Sequence, residues 1–122
     1  MRIGKDLVAA SAGPLVMAIL AEGESYGYAI LKRVSELSGG KLVWTDGMLY
    51  PLLHRLHRLG YLEAKWNAPQ VGRRRRYYRI TPAGRKALAD QRTQWMVVDE
   101  ALRGAWHQMR SALTSAPLPG GA

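Results

Sequence analysis

The chain has 122 residues and a net charge of +9, and it contains no cysteine. A chain of this length forms one domain of modest size with one small core, which argues against a multidomain enzyme. The absence of cysteine excludes disulfides and thiolate metal ligands. Residues 54–86 hold ten Lys or Arg and one acidic residue, whereas the rest of the chain is neutral. Such confinement of positive charge favours a polyanionic partner.

The first predicted element is a helix over residues 5–21, with Pro14 marking either its start or a kink. A basic start followed by apolar residues is also the pattern of a secretory leader. Asp6 and the Gly13-Pro14 pair weaken that alternative, and the apolar stretch is too short to span a bilayer comfortably. We therefore expect a core helix and a cytoplasmic protein.

A break at residues 22–24 separates this helix from a second one, which Ser25 is expected to cap. Ile30, Val34 and Leu37 recur at helical spacing in the second helix. The glycines of residues 38–40 end it.

The third predicted helix has Thr45 as its N-cap and ends at Gly60. At helical spacing, one sector is apolar and consists of Met48, Leu49, Leu52, Leu53, Leu56 and Leu59. The opposite sector contains Gly47, Tyr50, His54, His57 and Arg58. One face is therefore predicted to enter the core, and the other is free to contact a partner. Pro51, just beyond the first turn, should remove one backbone hydrogen bond.

After Gly60 the pattern changes to alternation, with Leu62, Ala64 and Trp66 on one face of a predicted strand. Residues 67–72 have turn chemistry, and residues 73–80 form a second strand, so the two strands make an arginine-rich hairpin. Tyr77 and Tyr78 point to opposite faces, so that one packs on the core and the other is exposed. The sequence leaves open which is which.

A last helix is predicted to begin at Thr81-Pro82, with threonine as N-cap and proline in the first position, and to run to about residue 113. Its apolar stripe repeats at nearly heptad spacing and consists of Leu88, Trp95, Val98, Leu102, Trp106 and Met109. A small core cannot cover so long a stripe, so we predict that a second copy of the chain does, with these residues at the dimer interface.

This order of elements, three helices and then a strand, a basic turn and a strand, is that of a winged helix-turn-helix. In that fold the third helix enters the major groove of DNA and the hairpin, or wing, contacts the adjacent backbone. We therefore predict a mainly α fold with a small β-hairpin, consisting of a DNA-binding domain at 1–80, a dimerisation helix at 81–114 and a flexible tail at 115–122.

The predicted DNA-binding residues are Thr45, Gly47, Tyr50, Pro51, His54, Arg55 and Arg58 of the third helix and Arg73, Arg74, Arg75 and Arg76 of the wing. Thr45, Tyr50 and His54 would read base edges, while Gly47 would let the backbone approach closely. Arginine forks match phosphate oxygens two at a time, so the arginines would contact the DNA backbone.

Other classes of function fit the sequence less well. His54 and His57 are three residues apart, but no third ligand accompanies them, so we predict no metal site. The chain has no nucleophile with its base, no glycine-rich phosphate loop and no paired carboxylates, so we expect neither an enzyme nor a cofactor. An RNA-binding or ribosome-associated protein remains the alternative. The long last helix favours duplex DNA, because a twofold reader needs paired half-sites.

Three segments resemble the PadR-type transcriptional regulators: residues 26–30 (YGYAI), 47–53 (GMLYPLL) and 72–84 (GRRRRYYRITPAG). They occur in the order typical of that family, and the resemblance covers roughly residues 13–110. It implies a homodimeric, usually repressing regulator that binds a pseudopalindromic site in double-stranded DNA. Some members bind a planar aromatic compound against a tryptophan of the last helix. The matching positions here are Trp95 and Asp99, with Met17 lining the same space.

Overall fold

The computed structural model describes residues 1–67 and 74–114. In chain order its elements are α1 (Lys5–Glu22), β1 (Ser25–Tyr26), α2 (Gly27–Leu37), α3 (Asp46–Arg58), β2 (Leu62–Asn67), β3 (Arg75–Ile80) and α4 (Pro82–Thr114). The chain divides into two compact units, Met1–Ala89 and Asp90–Ala122. The first unit contains α1 to α3, the sheet and the start of α4. The predicted fold, mainly helical with a small sheet and a long C-terminal helix, is confirmed.

The first three helices and the sheet of the first unit share one apolar core. Its members are Ala12, Val16, Met17, Ile19, Leu20, Ile30, Val34, Trp44, Leu49, Leu52, Leu53, Leu56, Leu62, Tyr78 and Ile80. Pro14 lies inside α1, so the proline does not mark the start of that helix. The core holds α3 by one face only, which leaves the other face of α3 free.

Helix α3 follows the predicted division into a core face and an exposed face. Thr45 is its N-cap, and the Thr45 carbonyl accepts hydrogen bonds from the amides of Met48 and Leu49, at 3.1 and 3.0 Å. Gly60 ends the segment with a φ of 81°, a conformation that favours glycine. Leu59, predicted to be in the core, is instead 56% exposed, because it caps the helix where the chain turns away.

The sheet has three antiparallel strands in the order β1-β3-β2, so the arginine-rich strand β3 lies in the middle. Strand β1 was not predicted, because two residues show no alternation. Ser25 belongs to β1 and pairs with Tyr78. The N-cap of α2 is therefore Tyr26, and the prediction that Ser25 caps this helix was wrong. β1 ties the start of α2 to the wing.

Thr81 joins the sheet to α4 through its hydroxyl and its backbone amide. Its hydroxyl accepts a hydrogen bond from the Gly84 amide at 3.0 Å and donates one to the Gly60 carbonyl at 2.6 Å. Its own amide donates to the Tyr61 carbonyl at 3.0 Å. At Gly84, a Cβ atom would approach the Tyr61 carbonyl carbon to 3.0 Å, so this position has no room for a side chain. The predicted Thr81 cap is confirmed.

The second unit begins at Asp90, and its described part is the helical segment of α4 that ends at Thr114. Val98, Leu102, Trp106 and Met109 of the predicted stripe are between 42% and 52% exposed. These side chains are therefore accessible in the single chain. No described helix is long and apolar enough to cross a membrane. The predicted tail at 115–122 lies outside the described residues.

Candidate DNA-binding surface

The exposed face of α3, together with the N-cap Thr45, carries every residue of this helix region that the sequence predicts to contact DNA. These residues are Thr45, Gly47, Tyr50, Pro51, His54, Arg55 and Arg58, and all of them are exposed. The buried leucines of α3 fix the rotation of the helix. Because successive turns present the same face, the exposed residues form one continuous surface.

The aromatic ring of Tyr50 lies against the backbone of Gly27, the first residue of α2. A Cβ atom at position 27 would come within 3.0 Å of the Tyr50 Cζ atom and closer still to its hydroxyl oxygen. Gly27 therefore lets the ring lie directly on α2, while 38% of Tyr50 remains exposed. The sequence gives no spacing signal for this contact, which restricts the orientation of a predicted base-reading side chain.

A groove of about 770 Å³ runs between α3, the start of α2 and the wing strands. It is lined by Tyr26, Gly27, Tyr28, Tyr50, His54, Trp66, Arg74, Arg75, Arg76 and Tyr78. The structure thus brings Tyr50 and His54 together with Arg74, Arg75 and Arg76, here called the wing arginines. Thr45, the third predicted base-reading residue, does not line this groove. No acidic residue lines the groove. Arg73, also predicted for the wing, lies outside the described residues.

Aromatic rings hold the guanidinium groups of the wing arginines. The Arg74 and Arg76 guanidinium carbons lie 4.8 and 5.5 Å from the centroid of the Trp66 ring, and that of Arg75 lies 4.5 Å from the Tyr26 ring. Contacts of this kind contribute about 0.5–1 kcal/mol each at exposed sites. They limit the motion of the arginines without neutralising their charge. Sequence analysis missed this role of Trp66. An exposed tryptophan at the end of a strand, next to an arginine-rich turn, is the pattern that could have indicated it.

The wing arginines differ from their neighbours in charge pairing. Arg79, near the base of β3, forms an ion pair with Glu63 at 2.6 Å, and Lys65 pairs with Glu24 at 3.3 Å. Within residues 1–67 and 74–114, no carboxylate lies within ion-pair distance of a wing arginine. Their positive charge therefore remains available to an anion such as a phosphate group.

Tyr78 forms the floor where the groove meets the core. Its side chain is buried, while Tyr77 is only partly buried and meets the Tyr26 ring edge-on at 5.3 Å, which settles the question that the sequence left open. Burial raises the pKa of the Tyr78 hydroxyl, and the nearby Arg76 opposes that shift. The Tyr78 hydroxyl has no hydrogen-bond partner among the described residues.

The residues predicted for a ligand pocket lie in both units. Met17 is fully buried in the core of the first unit. In the second unit Trp95 is partly buried, and the Asp99 carboxylate accepts a 2.8 Å hydrogen bond from Arg103, whose pKa it raises. The pocket stays a prediction. His54 and His57 belong to no group of three metal-ligating side chains within the described part of the chain.

Comparison with known proteins gives consistent matches. The model of the transcriptional regulator PadR-like family matches residues 16–90. The chain is 47% identical over 64 residues to the transcriptional regulator Rv3488 of Mycobacterium tuberculosis, a match that covers 52% of this chain and 59% of that protein.

Among solved structures, a transcriptional regulator from Clostridium thermocellum is 28% identical with a TM-score of 0.76, and the match covers 82% of this chain and 97% of the other. A PadR family regulator from Eggerthella lenta is 29% identical with a TM-score of 0.73, with coverages of 83% and 86%. Both matches extend over most of the chain.

Proposed function

Because the chain belongs to the PadR-like family of transcriptional regulators, we propose that it is a homodimeric repressor that recognises a pseudopalindromic site in double-stranded DNA. Family membership makes it a DNA-binding transcriptional regulator and not an enzyme. One observation supports the recognition of a DNA site: the exposed face of α3 and the unpaired wing arginines line one groove and so lie on one surface.

In this proposal α3 and the wing have different roles in DNA binding. Tyr50 and His54 lie on the exposed face of α3. The major groove of DNA admits an α-helix, and base edges are distinguishable there. The wing arginines contact phosphates, which supply affinity and orientation but carry no sequence information directly. Selectivity therefore depends on α3, and general affinity for DNA depends on the wing.

The dimer part of the proposal is supported by the exposed apolar stripe of α4. Val98, Leu102, Trp106 and Met109 recur along the helix at spacings that place them on one side. A second copy of the chain would cover these side chains and place two α3 helices against two half-sites. Sedimentation at micromolar concentration should give the mass of a dimer. A monomer there would contradict the paired half-site model.

The regulatory part of the proposal concerns the effector and the sign of control. We take repression from the tendency of the family, and we place a planar aromatic effector at Trp95, beside Asp99. Its binding would release DNA through α4, which is continuous from Pro82 past Trp95. The protein acts in the cytoplasm under this proposal, where its DNA is located. A thermal-shift screen of planar aromatic compounds, with Trp95→Ala as the control, tests the effector.

Selection from a pool of genomic DNA fragments is the experiment that tests sequence-specific binding. The protein should enrich a small set of duplexes that share a palindromic element. Tyr50→Ala and His54→Ala should then change which sequence is preferred more than they change binding to unrelated duplexes. Equal losses on all DNA would contradict the assignment of these two residues to base reading. Tighter binding to single-stranded RNA than to the selected duplex would favour the RNA-binding alternative.

A further inference from the structure

A second groove, of about 600 Å³, lies between the N-terminal part of the chain and α3. It is lined by Arg2, Ile3, Lys5, Val8, Ala9, Ala12, Met48, Pro51, Leu52, Arg55 and Arg58. The groove lies wholly within the first unit. No sequence pattern indicates this groove, because Arg2 and Lys5 lie about fifty residues before Arg55 and Arg58.

The polar side chains of this groove all carry the same charge. Arg2, Lys5, Arg55 and Arg58 are exposed cations, and no acidic residue lines the groove. None of the four forms an ion pair with a carboxylate in the part of the chain that the structure describes. The acidic residue nearest in sequence, Asp6, is exposed but is not part of the lining. Four neighbouring cations without a carboxylate partner form a surface that favours an anionic ligand.

The position of this groove relative to α3 suggests which anion. Pro51, Arg55 and Arg58 lie along one edge of the exposed face of α3, and Tyr50 and His54 lie along the edge beside the wing groove. The exposed face is therefore bordered by a basic groove on each side. A helix in the major groove likewise has a sugar-phosphate backbone on each side of it.

We propose that Arg2 and Lys5, together with Arg55 and Arg58, form a second DNA-backbone site on the side of α3 opposite the wing. The inference rests on the proposed DNA-binding function and adds two residues outside helix three and the wing. The phosphodiester backbone fits better than a small amphipathic anion, because one carboxylate would neutralise only one or two of four cations that are spread over two segments. The apolar floor, which includes Val8 and Leu52, would lie against deoxyribose.

The experiment measures the affinity of the full chain for a fixed duplex, by fluorescence anisotropy over a range of salt concentrations. Lys5→Ala is compared with Lys86→Ala, since both are exposed lysines near the start of a helix and both changes remove one charge. The double variant Arg2→Ala/Lys5→Ala measures the whole effect.

Each lost phosphate contact should weaken binding about fivefold at about 0.15 M salt and flatten the slope of log K against log salt by about 0.9. We therefore expect a loss of about fivefold for Lys5→Ala, about thirtyfold for the double variant, and no change of slope for Lys86→Ala. Thermal unfolding of each variant should match that of the wild type, because the replaced side chains are exposed.

The outcomes distinguish a failure of the proposed DNA binding from a failure of the second backbone site alone. If the wild type binds no duplex, the proposed function itself fails. If the wild type binds and the wing variant Arg74→Ala/Arg75→Ala binds more weakly, while Lys5→Ala behaves as Lys86→Ala does, the second backbone site alone is wrong. Decanoate, measured by calorimetry, is the probe for the other class of ligand. Binding of decanoate that Arg2→Ala/Lys5→Ala abolishes, with DNA affinity unchanged, would assign the groove to a small amphipathic anion.

Discussion

Replacing Thr81 with alanine tests how the wing is joined to α4. The change removes two hydrogen bonds at once, the one that the hydroxyl accepts from the Gly84 amide and the one that it donates to the Gly60 carbonyl. Loss of an N-cap costs about 1 kcal/mol. A second hydrogen bond contributes about another 1 kcal/mol. The free energy of unfolding should therefore fall by about 2 kcal/mol, which corresponds to a fall in Tm of about 10 °C for a domain of this size.

The assay is urea unfolding followed by far-ultraviolet circular dichroism at one fixed protein concentration, because subunit association would otherwise change the apparent stability. Thr81→Ser is the matched control, since serine keeps the hydroxyl that makes both bonds. We expect Thr81→Ser to unfold close to the wild type. If Thr81→Ala and Thr81→Ser are equally stable, the hydroxyl does not hold this junction.

Three further predictions concern packing, the wing and pH. Gly84→Ala should lower the free energy of unfolding by about 2 kcal/mol, because the new Cβ would press on the backbone of Tyr61. Gly104 lies in open space, so Gly104→Ala should stabilise the helix. Equal stability of the two variants in urea unfolding would contradict this prediction. Trp66→Ala should weaken duplex binding about fivefold, because Arg74 and Arg76 lose the ring on which their guanidinium groups lie. Trp66→Phe keeps an aromatic ring and should retain much of the affinity. Equal affinities for the two variants in anisotropy titrations would show that the ring does not support the wing arginines. Because burial raises the pKa of the Tyr78 hydroxyl, the folded state keeps this proton at a pH at which the unfolded state loses it. The free energy of unfolding should therefore be unaffected by this group below about pH 10 and should fall above it. Tyr78→Phe should make that fall shallower in unfolding measured against pH, and an identical fall would refute the assignment.

The sequence predicted the structure best where a long hydrophobic periodicity was followed or preceded by a residue that caps or ends a helix. In α3, leucines at helical spacing predicted both the buried face and the exposed face, and Gly60 predicted the end of the helix. Thr81-Pro82 predicted the start of α4 correctly, because the capping chemistry is local. Patterns that depend only on neighbouring residues can be identified without knowing the tertiary structure.

Features that depend on distant residues could not be predicted in this way. Strand β1 exists only because Ser25 and Tyr26 pair with β3, more than fifty residues later. The contact between Gly27 and Tyr50 likewise joins two helices and leaves no spacing signal. The basic groove around Lys5 brings Arg55 and Arg58 together with Arg2 and Lys5, whose own segment is neutral when it is counted along the chain. Tertiary packing decides each of these.

The salt dependence of DNA binding distinguishes the role of the wing, which holds duplex DNA by its phosphates, from the role of α3, which selects the sequence. The measurement compares the wild type with Arg74→Ala/Arg75→Ala on the selected duplex and on an unrelated one. We expect the double variant to lose affinity by a similar factor on both duplexes, with a slope of log K against log salt that is flatter by about 1.8. An unchanged slope, or a loss confined to the selected duplex, would contradict the account.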